Sequence, residues 1–350
     1  MSFLRRNTSR PSAEKGIAAF WAWWPEERPR IEAAIEARDF GSVMSDLKAR
    51  LVAIHEHLDL ELSQGLTSRH ALSVSPRGNR TLRPLTERWL EAAPPRDATW
   101  EFHAARLPSR RSHSELKGLV IAEQDYRIAL HHDERFNRLD VSAFHPVLAT
   151  LPDEKRLIAI SLFLCDLIGE DEAERWIGTF ESVLSPADDS VGVTGLRAEI
   201  SRLRESTVEP TRTIIQGLDV KGQPLSVLAD LGMKRIDHVL CDQHVTISVR
   251  LEPGWPPPDS QLQQLDFHET ALEDSLGGAA LWVARTTEPG LREVHFVSRD
   301  GVAVCRAIED WGASNHVLGA TTRWEVDPEW RFRGDWGGLN EAKAKPQPRN

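Results

Sequence analysis

The chain has 350 residues, of which 40% are hydrophobic and 27% are charged, and its formal net charge is −10 at pH 7. This composition is that of a globular protein, and the length allows two or three domains that each bury a core. The negative charge argues against a nucleic-acid backbone as the main partner, and it suits either a basic protein partner or simply solubility.

The three cysteines indicate a reducing compartment. Cys165, Cys241 and Cys305 are far apart in sequence and each lies among apolar residues, which is typical of reduced core residues in a cytosolic protein. No apolar run reaches the roughly 18–20 residues that a membrane helix needs, and the first residues lack the apolar core of a signal peptide. We therefore expect a cytoplasmic protein that does not associate with a membrane.

The N-terminal region predicts two helices after a disordered start. Residues 1–12 combine arginines with Ser, Thr and Pro, and we expect them to be disordered. Apolar residues at helical spacing run from Ile17 to Trp24, and Pro25 is expected to end that helix. A second short helix is predicted from Glu26 to Arg38.

A first pattern of helix, hairpin, helix and strand follows. The first helix is marked by apolar residues three or four apart, namely Val43, Leu47, Leu51, Ile54 and Leu58. Short strands are predicted around Leu60 and Leu72. A helix from Leu82 to Ala93 and a strand from Trp100 to Ala104 complete the pattern.

The same order is predicted a second time, less regularly. Leu116 to Val120 is expected to be a helix, and alternating residues then predict strands at Tyr126–Leu130 and Leu139–Ala143. A long helix is predicted from Leu157 to Leu167. The closing strand is expected within Trp176–Leu184.

The third pattern is preceded by one more strand. His244 to Leu251 alternates, Ser260-Gln-Leu-Gln263 has the form of a capping box, and Leu281 to Ser298 contains two strands and a turn. Asp300 can cap the next helix, and Thr322 to Val326 alternates again. The order β-α-β-β-α-β predicts a ferredoxin-like antiparallel sheet with two helices on one face. A linker with a strand at Thr213–Leu218 precedes this region in the chain.

Together these patterns predict an α+β protein built from repeated helix-hairpin-helix-strand units. We expect an N-terminal unit at 13–106, a middle unit at 112–205 and a C-terminal ferredoxin-like unit at 211–336, with disordered tails at 1–12 and 338–350. The units share a hydrophobic pattern without a residue-level repeat.

The ending Asp327-Pro-Glu-Trp330, which follows an alternating strand, resembles the ending of a bacterial family called domain of unknown function six-nine-five. That family shares this tail pattern with the B-type regulator of ribonuclease E, and the likeness covers about the last third of the chain. Phe20-Trp-Ala-Trp-Trp24, and Ile168 to Asp171 with Arg175 to Gly178, resemble uncharacterised actinobacterial proteins. Those proteins have no assigned activity, so the resemblance implies no catalytic residue.

The histidines are the first candidates for catalytic or metal-binding motifs. His55-Glu-His57 places two imidazoles two residues apart, where they diverge on a helix, whereas a helical zinc pair needs a spacing of four. His131-His-Asp133 precedes a predicted turn, and adjacent strand residues face opposite sides. The sequence has no CxxC pair, no GxxxxGK[ST] loop and no GxSxG elbow. We therefore expect no catalytic residue, no cofactor and no metal.

Two loops were also considered as sites. Gly192-Val-Thr-Gly195 precedes a helix and could hold an anion, but it lacks the lysine of a phosphate loop. Gly169-Glu-Asp-Glu172 looks like an acidic metal-binding run, and solvated acids at a helix N-terminus explain it more simply.

The remaining candidate surface is aromatic. Trp21, Trp23 and Trp24 cannot all be buried by one helix face, and Trp330 and Trp336 follow the last strand. They either pin the ends of the chain onto the body of the protein or form an exposed anchor for a protein partner.

Two functions follow from these observations. The first is a non-catalytic cytosolic protein that binds or regulates another protein, with the five tryptophans as its partner-binding residues. The alternative is a hydrolase whose site forms between the units from His55, His131 and Asp133. The sequence does not indicate an oligomeric state.

Overall fold

The computed structural model divides the chain into two compact units, unit 1 at residues 1–206 and unit 2 at 207–350. The structure describes residues 10–109, 113–116, 118–206, 212–219, 221–314 and 319–333. The predicted disordered tails at 1–12 and 338–350 lie outside these ranges, except that residues 10–12 are helical. The predicted division of 13–106 from 112–205 falls inside unit 1 and stays a prediction.

The first part of unit 1 contains three helices and a three-stranded sheet. Its elements are α1 (Arg10–Ala37), α2 (Gly41–Val52), β1 (Asp59–Gln64), β2 (His70–Ser75), α3 (Arg83–Glu91) and β3 (Trp100–His103). Strands β1 and β2 are antiparallel, and β3 pairs with β2 in parallel after α3.

Helix α1 runs without interruption past Pro25 and Pro29, so the predicted break at Pro25 is wrong. The apolar stripe continues across the prolines, with Phe20, Trp24 and Ile31 all buried in one core. An internal proline destabilises a helix by about 3 kcal/mol, and each large apolar side chain that is fully buried stabilises it by about 1.5–3 kcal/mol. Packing therefore outweighs the local preference.

The second part of unit 1 has its own sheet and core. Its elements are β4 (His113–Leu116), β5 (Leu119–Ala122), β6 (Arg127–Asp133), β7 (Arg138–Phe144), α4 (Asp153–Ile168), α5 (Glu170–Trp176), β8 (Ile177–Ser182) and α6 (Val193–Glu205). Strands β6 and β7 are antiparallel, and β8 pairs with β7 in parallel after the two helices.

The predicted helix at Leu116–Val120 is wrong, because this stretch is part of the β4–β5 hairpin. Gly118 has a φ of +80°, a conformation that ends any helix and turns the chain back. The apolar side chains of Leu119 and Val120 are exposed. Helix α6 packs on the β6-β7-β8 sheet, with Leu196 buried in the same core as Ile128 of β6.

The described residues of unit 2 form one six-stranded sheet with two α-helices. Its elements are β9 (Arg212–Leu218), β10 (Pro224–Asp230), β11 (Gln243–Arg250), α7 (Asp259–Leu276), β12 (Leu281–Glu288), β13 (Leu291–Ser298), α8 (Gly301–Ser314) and β14 (Ala320–Val326). The strand order is β14-β11-β13-β12-β10-β9, and every neighbouring pair is antiparallel. Strand β10 was not predicted.

The helices of unit 2 begin differently from each other. Asp300 accepts a hydrogen bond from the backbone N–H of Ala303 at 3.1 Å, which confirms the predicted cap of α8. Helix α7 begins at Asp259 after Pro258 and has no side-chain cap, so the predicted capping box at Ser260 is wrong. The fixed φ of proline already prepares the first turn there.

Both helices pack on the same face of the sheet. Val245, Ile247 and Phe296 of the strands share a buried core with Leu272 of α7 and Val304 of α8. The chain is thus an α+β protein, as predicted.

Candidate functional site

On the face of the unit 2 sheet away from the helices, the part formed by β14, β11, β13 and the end of β12 carries polar side chains, and we call this part the open face. Beside it on the same face, Val227 and Ala284 lie in a buried apolar cluster. Because successive strand residues point to opposite sides, Val245 and Ile247 face the helices while His244 and Thr246 face away. The register of β14, β11, β13 and β12 extends this pattern across these four strands. The open face comprises His244, Thr246, Ser248, Thr286, Glu288, Glu293, His295, Arg323 and Glu325.

Two buried imidazoles lie at its centre. Nε2 of His244 is 3.0 Å from Nδ1 of His295, and the rings are stacked with centroids 5.2 Å apart. A hydrogen bond at this distance needs one nitrogen to donate and the other to accept. The pair therefore keeps its contact only while at least one of the two facing nitrogens is unprotonated.

The imidazole pair continues into a longer chain of polar contacts. Nδ1 of His244 is 3.4 Å from Oε1 of Glu325, and Oγ1 of Thr286 is 3.4 Å from Nε2 of His295. If Nδ1 of His244 donates to Glu325, then Nε2 of His244 accepts a hydrogen bond from Nδ1 of His295. Nε2 of His295 in turn accepts from the hydroxyl of Thr286. This pattern places one proton on Nδ1 of each ring.

Burial keeps this pair neutral. It lowers the pKa of His295 to about 3, with the neighbouring His244 and Arg323 acting in the same direction. Burial also lowers the pKa of His244, although the Glu325 carboxylate opposes the shift. At pH 7 both rings are therefore uncharged hydrogen-bonding groups.

Residues 327–333, which we call the wall segment, border the open face. The ring of Phe332 is stacked on His244, with centroids 3.9 Å apart and planes at 9°. Trp330 donates from Nε1 to the carbonyl of Cys241 at 2.9 Å, and Asp327 accepts from the backbone N–H of Phe332 at 3.4 Å. These contacts hold the wall segment against the sheet.

Together the sheet and the wall segment enclose a groove of about 540 Å³. It is lined by Leu225, His244, Thr286, Glu288, Glu293, His295, Arg323, Glu325, Val326, Asp327, Arg331 and Phe332. The lining has four carboxylates and two guanidinium groups. Because the histidines are neutral, the groove is acidic at pH 7.

The charged side chains at the rim are exposed to different degrees. Glu293 accepts from Ser248 at 2.7 Å and lies 3.5 Å from the Arg323 guanidinium. The side chain of Glu325 is 67% exposed, and Arg331 pairs with Glu329 outside the groove at 3.1 Å. The rim therefore presents the Glu325 carboxylate to solvent, while the Glu293 side chain is 21% exposed.

A second groove, in unit 1, has a volume of about 200 Å³ and is lined in part by Cys165. Burial raises the pKa of this thiol to about 11, so it is not a nucleophile at pH 7. Glu170 lines it too, and accepts from Oγ of Ser75 at 2.7 Å and from the N–H of Gly78 at 2.8 Å. The expectation of solvated acids at 169–172 is therefore wrong for Glu170, which is buried and joins β2 to α5.

The tryptophans proposed as partner-binding residues lie mostly inside the units. Trp24 is 2% exposed and Trp330 is 3% exposed, so neither is an exposed anchor. Trp21 is half-buried and donates to the Trp89 carbonyl at 2.7 Å, and Trp23 is half-buried with the Arg50 guanidinium 5.1 Å from its ring centroid. Trp336 lies outside the described residues. A partner-binding role for Trp21, Trp23 and Trp336 stays a prediction.

The polar residues proposed for a hydrolase make local contacts. The backbone N–H of His57 donates to Nδ1 of His55 at 3.2 Å, and Asp133 accepts from Nε of Arg135 at 3.3 Å. His131 is exposed on β6. All of these residues belong to unit 1.

The described residues offer neither a metal centre nor a membrane-spanning helix. Among the described residues, no group of three or more His, Cys, Asp or Glu side chains has the geometry to hold a metal ion. Within the same ranges, no helix combines the length and apolar character needed to cross a bilayer.

Comparisons with protein-family models, with curated proteins and with solved structures found no match to this chain.

Sequence reasoning did not single out His244, His295, Glu293 or Glu325. A signal was present, because each precedes or follows a residue predicted to face the helices and so belongs to the other face. The missing information was the register that brings β11 beside β13 and β14.

Proposed function

We propose that this chain is a non-catalytic protein-binding or regulatory module, and that the open face of unit 2 is its docking surface. The observation that carries the proposal is the groove of about 540 Å³ on a sheet face that is opposite both helices. A firmly packed sheet with one face away from its helices offers a rigid platform, which limits the entropy lost on binding.

The state of the histidines favours binding over catalysis. A general base works best when its pKa is near the operating pH, whereas the pKa of His295 is lowered to about 3. The paired rings serve as a fixed floor with neutral hydrogen-bonding groups. This supports the non-catalytic assignment.

We also propose that residues 211–336 form a ferredoxin-like unit related to domain of unknown function six-nine-five and to the B-type regulator of ribonuclease E. The order β14-β11-β13-β12 is that of a β-α-β-β-α-β fold, with α7 and α8 as its crossovers. The ending Asp327-Pro-Glu-Trp330 forms the first part of the wall segment.

Strand pairing in unit 1 supports the hairpin-helix-strand part of the proposed repeat, whereas the β4–β5 hairpin takes the place of the helix expected before the second copy. Both of its three-stranded sheets consist of an antiparallel hairpin followed by a parallel strand. A cytoplasmic location is supported by the cysteines Cys165, Cys241 and Cys305, which are not joined in disulfides.

Site-specific photocrosslinking in the full chain tests the docking surface. A benzophenone amino acid replaces Arg323, whose side chain is 66% exposed on the open face. The matched control replaces Phe267, which is 72% exposed on α7 on the other side of the sheet. We expect position 323 to form a crosslink to one protein. An excess of the chain without benzophenone should reduce this crosslink by competition, and position 267 should give no such product. Equal products at both positions would contradict the proposal.

A hydrolase is the second candidate, and one observation favours it. The contacts from Glu325 through His244 and His295 to Thr286 resemble a hydroxyl, a base and a group that orients the base. Turnover of simple esters that Thr286→Val and His295→Gln both abolish, with each variant still folded, would replace the first proposal with this one.

A further inference from the structure

We propose that the groove binds an extended segment with lysine or arginine side chains, and that Glu293 and Glu325 are its two main anionic contacts. This inference rests on the proposed docking function and names the chemistry of the partner.

The charges of the groove select a cationic partner. Its lining holds Glu288, Glu293, Glu325 and Asp327 against Arg323 and Arg331. Arg331 is also paired with Glu329, a carboxylate outside the groove, which offsets its positive charge. A phosphate or carboxylate ligand would meet this field unfavourably, whereas ammonium and guanidinium groups gain charge-assisted hydrogen bonds.

The register of the sheet sets the spacing of the two contacts. Glu325 on β14 lies opposite His244, and Glu293 on β13 lies opposite Ser248, four residues further along β11. With strands about 4.8 Å apart and a rise of about 3.4 Å per residue, their Cα atoms are about 17 Å apart. Two cationic side chains four residues apart share one face of an extended segment and can reach both carboxylates.

The floor and wall of the groove suit the stems of such side chains. Phe332 is half-buried against His244, and Leu225 and Val326 add apolar surface to the lining. Lysine and arginine cover apolar surface with their methylene stems while the charged ends stay in water. An aromatic ring beside the carboxylates adds a further attraction for cations.

Peptide binding to the full chain tests this inference. The probe is a fluorescent ten-residue peptide of serine, threonine and valine with arginines four residues apart, and fluorescence anisotropy measures its affinity. Comparison peptides carry citrulline at both positions, or arginines at adjacent positions that point to opposite faces. The test variant combines Glu293→Gln with Glu325→Gln, because the glutamine oxygen at 293 can still accept the hydrogen bond from Ser248. The control variant is Asp274→Asn, at an exposed position of α7.

We expect the double variant to weaken binding of the arginine peptide at least about tenfold, and the control to stay within about twofold. Citrulline and the adjacent spacing should each weaken binding, and salt should weaken only the peptides with arginine. Equal binding of the citrulline peptide, or unchanged binding by the double variant, overturns the inference.

The crosslinking experiment separates this inference from the docking function. A specific product at position 323 whose attached segment lacks lysine and arginine leaves the docking surface in place and rejects the cationic partner. Absence of a specific product at 323 rejects both.

Discussion

The same strands make both faces of the unit 2 sheet, but one face packs against the helices and the other lines the groove. Phe296 and Val245 face the helices and lie in the buried core, while their chain neighbours His295 and His244 face the groove. The covered face has apolar contacts that stabilise the unit. The open face carries a neutral imidazole pair and a carboxylate rim, and we propose that it serves as a docking surface.

Within one strand, alternate residues thus belong either to the apolar core or to the polar groove, which is the surface that we propose for binding. A polar residue on the covered face would leave an unpaired group in the core. The same residue on the open face meets partners from three neighbouring strands. Substitutions on the two faces should therefore have separable effects.

The largest effect is expected on the covered face. Phe296→Ala should lower the free energy of unfolding of unit 2 by about 3–5 kcal/mol, because a fully buried aromatic side chain is lost and a cavity remains. Hydrogen exchange of the β11 and β13 amides measures the change. Arg323→Ala on the open face is the control and should stay within about 0.5 kcal/mol. A loss below about 1 kcal/mol for Phe296→Ala would show that the covered face is not the stabilising one.

A fall in pH should lower the stability of unit 2 through the buried imidazole pair of the open face. The pKa of His295 is about 3 in the folded chain, below its ordinary value of about 6.5, so the unfolded chain binds more protons between these values. The stability contributed by the neutral ring is complete above about pH 6.5 and is lost as pH falls towards 3, by about 3 kcal/mol at pH 4. His295→Gln removes this titration, so the free energy of unfolding of the variant should fall less between pH 7 and pH 4 than that of the unmodified chain. Identical pH profiles for the two chains would refute the buried neutral pair.

A smaller effect is expected at the wall segment. Phe332→Ala should lower stability by about 1–2 kcal/mol, because a stacked and half-buried ring is removed. The same change admits water to His244, and its pKa should rise towards the ordinary value. NMR titration of the imidazole measures that rise, with Phe267→Ala as the exposed control. An unchanged titration would show that Phe332 does not shield the pair.

The smallest effect on stability is expected at the rim. Glu325→Gln should change the free energy of unfolding by less than about 0.5 kcal/mol, since exposed charges contribute little to stability. The same variant should weaken binding of the arginine peptide, which is measured by anisotropy. A stability loss above about 1 kcal/mol would assign Glu325 a structural role.

Much of the fold could be predicted where one pattern dominates a stretch. The strand at Thr213–Leu218, the strands within Leu281–Ser298 and the Asp300 cap are all present as expected. The errors occurred where tertiary packing or a single glycine decided the conformation. Helix α1 continues through Pro25 because its stripe is buried, and Gly118 turns a predicted helix into a hairpin.

The candidate site could not be predicted because it depends on register. His244 and His295 are 51 residues apart and meet only because β11 pairs with β13. The residues that stood out in the sequence do not form the candidate site, because Trp24 and Trp330 are buried and His55 has a local hydrogen-bond partner. Ordinary polar residues of alternating strands became a site only when four strands were aligned.

The most direct test of the open face as a docking surface is imidazole NMR of the full chain as the arginine peptide is added. His244 and His295 lie in the groove, and His268 of α7 lies on the covered side and serves as the internal control. The account predicts saturable shifts of the first two imidazoles with one binding constant, and none for His268. Shifts confined to His268, or unchanged His244 and His295 while the peptide is bound, would contradict it.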